Sequence, residues 1–493
     1  MVMKYKLITI LSFSALLTGC SFFSPEYKKP NIEAPSSWNS QGAGTHTEQT
    51  NLPDLAWWKK FNDPQLDKLI ENALKNNNNI QVAMGNIIQA QASLQKVNYS
   101  WLPTVDIGGS AFTGKAFNTN FDNTSGNALI DKLDPGNSPE ISGYNVGIAS
   151  SYNLNIMRQL KMGNIADLNL ALSDQAKNAA RLAIISQVSG NYFSFLGLQK
   201  QLMLQQQLLT DAKSTRKYMK IQYANGSVSS IRLAGINQLI AILQSQIPSL
   251  KNKLTQVQNA LRILTNRNPG KIITKNNFDN IQTSGIIPVN LPSEVLKSRP
   301  DVAIAEYQLQ MSNEDIGATA SKFFPSISLT GLLGHATVQL ANLFTLGAAF
   351  GGVSLGAAVP IFNMGIFADI KKSKGAYYST HYHYVETVRN AFMEVDNGLS
   401  QNSTVNQTYE QHKIAFESAK EQYRLATIMY QQGSISYMET LIAKMNTDYA
   451  RSELNKYKMQ QMDSIVNLYD VLGGGYNVNN YIEFKKFNDE HDA

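Results

Sequence analysis

Cysteine is almost missing from this chain of 493 residues. Only Cys20 is present, so no disulfide can form within the chain. Charge is scarce as well: Asp, Glu, Lys and Arg make up 16% of the residues, less than is usual for a soluble domain. Asn, Gln, Ser and Thr fill the gap, a composition suited to surfaces that are wet but weakly charged. The formal net charge is +6. Lys4 and Lys6 lie in a segment expected to be removed, which leaves about +4, too mild and too scattered to argue for nucleic acid. Beyond the first residues no apolar run reaches the length of a membrane-crossing helix. Motifs for chemistry are also missing: there is no Gly-rich phosphate loop, no His-Glu-x-x-His and no Gly-x-Ser-x-Gly. His381 and His383 stand two apart on a predicted helix and do not share a face, so they make a poor metal pair. Helical spacing likewise splays Glu394 and Asp396. No catalytic residue, cofactor or metal is expected.

Proline is absent from two long stretches, residues 163–224 and 365–432. Both have helical patterning, and at ~1.5 Å per residue each makes a rod on the order of 90 Å, longer than a globular core can use. Asn225-Gly226-Ser227 breaks the first rod and Gln432-Gly433-Ser434 the second. The surrounding segments, Tyr223-Ala224-Asn225-Gly226-Ser227-Val228 and Tyr430-Gln431-Gln432-Gly433-Ser434-Ile435, align with each other. After the first turn, Leu243, Ile247, Leu250, Leu254, Val257, Leu261 and Leu264 recur at alternating steps of three and four, a coiled-coil seam. Pro248 lies within it and is expected to kink the rod. Asn268-Pro269-Gly270 ends this helix, and Gly473-Gly474-Gly475 stops the last one after Leu472.

Two junctions organise the rest. Around Pro325, apolar residues at helical spacing (Val302, Ala305, Leu309, Ile316) give way to alternation, with Ile327 and Leu329 on one face and Ser326, Ser328 and Thr330 on the other. Proline suits such a junction because its ring and missing N–H stop a helix and bias the preceding residue towards extended geometry. The pattern recurs around Pro103, with Val105 and Ile107 alternating with Thr104 and Asp106. One junction used twice marks an internal duplication. The first strand is expected to run to about Phe112, followed by a polar loop over roughly 114–140. A second strand carries Tyr144, Val146, Ile148, Tyr152, Leu154 and Ile156 on one face. The fourth, 351–361, carries Val353, Leu355, Ala357, Val359 and Ile361. Four strands of about ten residues have the length to cross a bilayer when tilted. Four cannot close a barrel, and open edges are not tolerated in lipid, so closure would have to come from other copies. A half-buried sheet at the base of a coiled-coil stalk is the soluble alternative.

The expected organisation is a signal peptide at 1–19, an extended N-terminal arm at 20–62, a first repeat at 63–270, a linker at 271–290, a second repeat at 291–475 and a polar, loose tail at 476–493. Lys4 and Lys6 precede an apolar run too short to span as a stable helix. That run ends in Leu17-Thr18-Gly19-Cys20, which resembles the bacterial lipobox. The resemblance implies that the Cys20 sulfur takes a lipid and that cleavage leaves Cys20 first. Ser21, in place of Asp, implies sorting to the outer membrane.

At residues 291–306 the sequence Leu-Pro-Ser-Glu-Val-Leu-Lys-Ser-Arg-Pro-Asp-Val-Ala-Ile-Ala-Glu resembles the outer-membrane factors of the TolC-like superfamily, and more closely the NodT-type lipoprotein branch that serves resistance–nodulation–division efflux pumps. The branch's Trp-Trp…Phe…Asp-Pro…Leu opening is matched by Trp57, Trp58, Phe61, Asp63, Pro64 and Leu66. Its ending is matched by Leu468, Tyr469, Leu472, Gly473, Gly474 and Gly475. The resemblance covers essentially all of the mature chain. It implies an α+β membrane protein of a Gram-negative bacterium: a homotrimer whose 12-stranded outer-membrane β-barrel, four strands per chain, is continued by a long α-helical barrel in the periplasm. It also implies an exit channel for drugs or other small toxic molecules, docked on a periplasmic adaptor protein and an inner-membrane pump. An outer-membrane duct for protein secretion, or a lipid-anchored coiled-coil stalk without a pore, are the other readings. In the family the helical turns form the periplasmic mouth, so Gly226, Ser227, Arg232, Gly433, Ser434, Ile435 and Glu439 are the candidates for the aperture and the adaptor contact. Members usually carry acids just after the turns; Arg232 and Ile435 stand there instead, and the nearest acid after the second turn is Glu439.

Overall fold

A computed structural model describes residues 25–35, 38, 51–115, 140–274, 276–281 and 297–478. The chain divides into two compact units. The helices are α1 (Pro64–Asn76), α2 (Asn78–Tyr99), α3 (Ile156–Ala224), α4 (Ser230–Leu264), α5 (Pro300–Ala320), α6 (Met364–Gln431) and α7 (Tyr437–Val471). The strands are β1 (Thr104–Lys115), β2 (Glu140–Leu154), β3 (Ser326–Thr337) and β4 (Ala349–Ala358). The order helix, strand, strand, long helix, helix occurs twice. Among the described residues no helix is long and apolar enough to cross a membrane.

The unit made of residues 1–28, 90–170 and 309–379 contains the sheet. Its four strands are antiparallel in the order β1-β2-β3-β4. Register decides which residues share a face, because neighbours along a strand point to opposite sides. Ile107 lies opposite Ile148, and Ile148 opposite Leu333. Tyr152 lies opposite Leu329, and Leu329 opposite Leu355. The apolar residues expected on one side of each strand therefore share a single face of the sheet. That face is uncovered: Ile107 is 79% exposed, Val353 80% and Leu355 75%. The opposite face is mixed: Asp106, Ser110, Asn145, Ser328 and Ser354 lie there beside Phe112, Leu332 and Phe350, and Asn145 donates through Nδ2 to Ser110 Oγ at 2.8 Å between adjacent strands.

Strand β1 runs on to Lys115 and β4 starts at Ala349, a few residues beyond expectation, and two further boundaries differ for a visible reason. Helix α3 begins at Ile156, seven residues before the Gly163 start, because Asn155 caps it. The Asn155 side chain accepts from Arg158 N at 3.0 Å and its carbonyl from Gln159 N at 2.9 Å. Ile156 is thus the first helical residue, not the last of a strand face. Strand β4 stops at Ala358, short of Val359 and Ile361. Ala358 already pairs with Ser326, the first residue of β3, and Pro360 has no N–H to offer a ladder.

The second unit, residues 29–89, 171–308 and 380–493, has its own core. Trp57, Trp58, Phe61, Leu66 and Ile70 pack there with Tyr192, Phe193, Phe195, Leu261, Phe278 and Tyr469. Asp63 starts α1 as expected: its side chain accepts from Gln65 N and Leu66 N, and Pro64 takes the first helical position. The predicted seam of α4 is its sheltered stripe: between residues 243 and 257 the seam positions are all at least partly buried and Pro248 is exposed, within a helix that does not end there.

Three separated sequence motifs meet in this core. Trp57 stacks on Tyr469 with ring centres 4.7 Å apart and donates from Nε1 to the Gly474 carbonyl at 3.3 Å. Arg299 donates to the Val471 carbonyl at 2.9 Å, to both oxygens of Asp301 and to Glu394 at 2.6 Å. Glu394 is therefore an ion-pair partner of Arg299. Gly473 sits at φ +71°, and a Cβ there would lie 2.3 Å from the Ser298 carbonyl oxygen. The stretch beyond 476 is not loose at its start, because Arg181 donates to the carbonyls of Tyr476 and Val478, both at 2.7 Å. The described part of the linker is also tied in: Phe278 is buried and Asn276 donates to Asp63 Oδ1.

Gly473 and Gly433 both need positive φ, yet only Gly473 is also crowded. Gly433→Ala should cost about 1–2 kcal/mol for the left-handed backbone alone. Gly473→Ala must also displace backbone, so its loss of unfolding midpoint should be clearly larger. Thermal or denaturant unfolding of the detergent-solubilised variants measures both.

Candidate functional site at the helical turns

The turn from α3 to α4 and the turn from α6 to α7 are built alike. At the first, Asn225 N donates to Ile221 O at 3.2 Å, Gly226 N to Tyr223 O at 3.0 Å and Ser227 N to Gln222 O at 2.8 Å. At the second, Gln432 N donates to Ile428 O at 3.0 Å, Gly433 N to Tyr430 O at 2.9 Å and Ser434 N to Met429 O at 2.8 Å. This is a glycine-centred helix stop in which the last carbonyls find backbone partners. Gly226 and Gly433 have φ of +72° and +74°, and open space surrounds the position of a Cβ at each. Glycine is required there by backbone conformation, not by crowding. Ser227 and Ser434 act through their amides.

The two turns part company at the next helix start. Ser436 accepts from Glu439 N at 3.3 Å, while the Glu439 carboxylate accepts from Ser436 N at 2.8 Å, a full capping box. Ser229, the matching cap of α4, makes no side-chain cap bond, and Arg232 stands where α7 has Glu439. Arg232 is exposed. Ile435 is half-buried, as is its counterpart Val228. Tyr437 bridges the hairpins, edge-on to Tyr218 at 5.2 Å and against Tyr430 at 5.2 Å. Below it Met438 packs with Leu209, Ala212, Met219 and Ile240. The turns thus combine two uncharged loops, an exposed arginine and a carboxylate committed to its own helix.

Farther along the hairpins lies a charged cluster that patterning did not single out. Lys444 of α7 pairs with Asp211 of α3, and Gln207 donates to Asp211 Oδ2 at 3.0 Å. Burial works against charge on Asp211, yet hydrogen bonds from Asp448, Lys444 and Gln207 hold its pKa below the usual carboxylate value. For Asp448, burial and then the neighbouring Asp211 carboxyl push the pKa up to about 6. A single acid on a polar helix reads as a solvated face. The only available signal was Lys444 and Asp448 sharing a side of α7 at i, i+4. Among the described residues no three of His, Cys, Asp and Glu are grouped as metal ligands. His381 lies edge-on to Tyr382 at 5.1 Å. Cys20 lies outside the described residues.

The sequence profile of the family described as outer membrane efflux protein matches residues 69–267 and 291–474. The chain belongs to the outer membrane efflux protein family. Among its relatives, the probable outer membrane lipoprotein SilC of Salmonella typhimurium is 27% identical over 479 residues, covering 96% of this chain and 99% of that one. The toluene efflux pump outer membrane protein TtgI of Pseudomonas putida is 28% identical over 489 residues, covering 97% and 99%. Among solved structures, the Campylobacter jejuni CmeC outer membrane channel superposes with a TM-score of 0.77 at 25% identity, covering 92% of this chain and 95% of that one. The protein is an outer-membrane efflux channel, built on the α+β plan of long helical hairpins and a four-stranded antiparallel sheet.

Two measurements probe the turn end of this channel protein. Glutamine can close a capping box as glutamate does. Glu439→Gln should therefore unfold with wild-type stability, while Glu439→Ala should lose about 1 kcal/mol. If Glu439→Gln instead lost as much as Glu439→Ala, its charge rather than its cap would be what matters. Asp448 keeps its proton in the folded chain up to about pH 6, whereas an unfolded aspartate releases it near pH ~4. The folded state then binds the extra proton, so this residue's contribution to stability falls as pH rises through that window. Asp448→Asn should raise the thermal midpoint at neutral pH and leave it near the wild-type value at pH ~4.

Proposed function

We propose that this protein is the outer-membrane exit duct of a tripartite efflux pump, working as a homotrimer that passes drugs or other small toxic molecules. The observation that carries this reading is the sheet. It has one exposed apolar face, one face that carries most of its polar side chains, and two outer edges, on β1 and β4, with no partner strand among the described residues. Backbone groups on such edges cannot stay unpaired in hydrocarbon. Pairing β4 of one copy with β1 of the next closes a wall of twelve strands from three copies, apolar outward and polar towards the lumen. The interior then suits many polar and amphiphilic solutes and carries no dedicated site, which leaves selection of cargo to the partners. Those partners are a periplasmic adaptor protein and an inner-membrane pump, met at the helical turns. Gly226, Ser227, Gly433 and Ser434 shape that mouth, with Arg232 and Ile435 in the places of the family's acids. It is sealed by packing around Ile435 more than by carboxylates. TtgI, a relative named for a toluene efflux pump, supports a small-molecule cargo.

Cys20 carries the lipid in this reading. The name of the relative SilC, an outer membrane lipoprotein, supports it, and so does the start of the arm. Asn313 donates to the Pro25 carbonyl at 2.9 Å. Five residues reach at most about 18 Å, so the acyl chains stay close to α5, the helix that leads into β3. Farther along, Lys29 pairs with Glu306 at 2.6 Å and Trp38 packs against Phe392.

Native mass spectrometry of the detergent-extracted protein tests the assembly and the anchor together. The expected species is a trimer whose chains each lack residues 1–19 and carry a lipid increment that Cys20→Ser removes. In planar bilayers the trimer should pass current. A stable monomer with full strand content would overturn the barrel reading, and a wild-type chain without added lipid mass would overturn the anchor.

A further inference from the structure

The connection from β3 to β4, residues 338–348, carries apolar side chains where a solvated loop would carry polar ones. Val338 is 69% exposed, Leu340 61%, Phe344 79% and Leu346 93%. Between Lys322 and Asp369 the sequence contains no Asp, Glu, Lys or Arg. The backbone of this loop also looks after itself. Leu340–Asn342 and Leu346–Ala348 form single helical turns. Asn342 N donates to Gln339 O at 2.9 Å, Leu343 N to Leu340 O at 3.1 Å, Thr345 N to Asn342 O at 3.1 Å and Ala348 N to Thr345 O at 3.1 Å. The Thr345 hydroxyl donates to the Asn342 carbonyl at 2.8 Å. These turns satisfy part of the loop backbone internally, which lowers the cost of seating it at a lipid interface.

The loop also has a defined side. Phe344 packs on His335, ring centres 6.2 Å apart, and His335 Nδ1 is closed off from solvent. His335 lies opposite Val146, on the apolar face that also carries Ile107, Leu333 and Leu355. Phe344 therefore folds back over the outward face of the sheet, away from the polar face. It does so at the end of β3 remote from Ser326, the end where Tyr144 pairs with Thr337. Aromatic rings at the margin of an apolar barrel face sit at the membrane–water boundary.

We infer that residues 338–348 form a membrane-seated collar, with Leu340, Phe344 and Leu346 lodged at the boundary between headgroups and acyl chains of the outer leaflet. The inference rests on the barrel reading above for the outward direction of the apolar face. Its occupant is lipid: the loop is continuous with the apolar face, it bears no charge to hold a protein partner, and its exposed side chains are apolar. The collar holds the outer rim of each chain at a fixed depth, as the acylated N-terminus does on the other side. Apolar groups at this depth bind an interface in proportion to the area they bury.

The test is site-directed fluorescence in proteoliposomes. With the Cys20 sulfur acylated, an introduced cysteine is the sole free thiol. Phe344→Cys and Leu346→Cys are each labelled with a polarity-sensitive dye, alongside Leu355→Cys on the apolar sheet face and Lys75→Cys on exposed α1. Quenching is read with nitroxide-labelled phosphatidylcholine from the lipid side and with iodide from the water side. The expected result is nitroxide quenching at 344, 346 and 355, and iodide quenching at 344 and 346 reduced about threefold or more relative to position 75. If 355 is quenched by lipid while iodide reaches 344 and 346 as freely as 75, the collar is wrong and the barrel stands. If 344 and 346 are shielded from both quenchers, the loop is buried against protein and the collar is equally wrong. If 355 itself escapes the lipid quencher, the outward direction of the face fails and the barrel reading falls with it.

Discussion

A hydrocarbon layer offers no partner to a backbone N–H or C=O, and this constraint shapes the chain more than any single contact does. It explains why the membrane part is a sheet at all in a mostly helical protein. It also explains why a sheet whose β1 and β4 have no outer partner strand among the described residues is incomplete as a single copy. The composition follows. One face must meet lipid and the other must stay wet without binding what passes, so the strands alternate apolar with Ser, Thr, Asn and Gly, and charge becomes rare. Within the four strands only Asp106, Lys115 and Glu140 carry charge, as expected of two surfaces, one greasy and one neutral.

Away from the sheet, the fold is held by a knot of motifs. The Trp-Trp pair, the Arg-Pro-Asp segment and the closing glycines look like independent signatures along the sequence. In three dimensions Trp57 stacks on Tyr469, Trp58 crowds Gly475, and Arg299 holds the Val471 carbonyl. The glycines are therefore more than a helix stop, since Gly473 and Gly475 let backbone and indole approach more closely than a Cβ permits. Arg299 satisfies a carbonyl at the end of α7 and two carboxylates at once, a use for which the planar guanidinium fork is suited.

Much of this was legible in the sequence because long elements repeat their period many times. The seam from Leu243 to Leu264, the alternation from Ser326 and the paired turns at Gly226 and Gly433 each rest on several concordant residues. What escaped was decided by single side chains. Asn155 capping α3 moved a boundary by seven residues, and Pro360 together with the register of β3 cut β4 short. Of the tail expected to be loose, only residues 476–478 are described, and these are held because Arg181, hundreds of positions away in sequence, grips the carbonyls of Tyr476 and Val478; the rest lies outside the described residues. At the turns, sequence located the residues but not their occupations: Glu439 reads as a free acid near a turn and is in fact half of a capping box. The pairing of Asp211 with Lys444 joins two distant helices, and no local pattern announces it.

The hydrogen bond from Trp57 to the Gly474 carbonyl joins residues separated by 417 positions. Its consequence concerns time as much as stability. A chain delivered N-terminus first presents Trp57 long before Gly474. The indole of Trp57 can find no final seat until Gly474 has been delivered, so this contact of very long sequence separation forms late. Until then two tryptophans and their aromatic neighbours are exposed, the kind of surface that holding chaperones take up. A chain that stops short of Gly474 can never close the knot, and the Trp57 indole is left without this carbonyl.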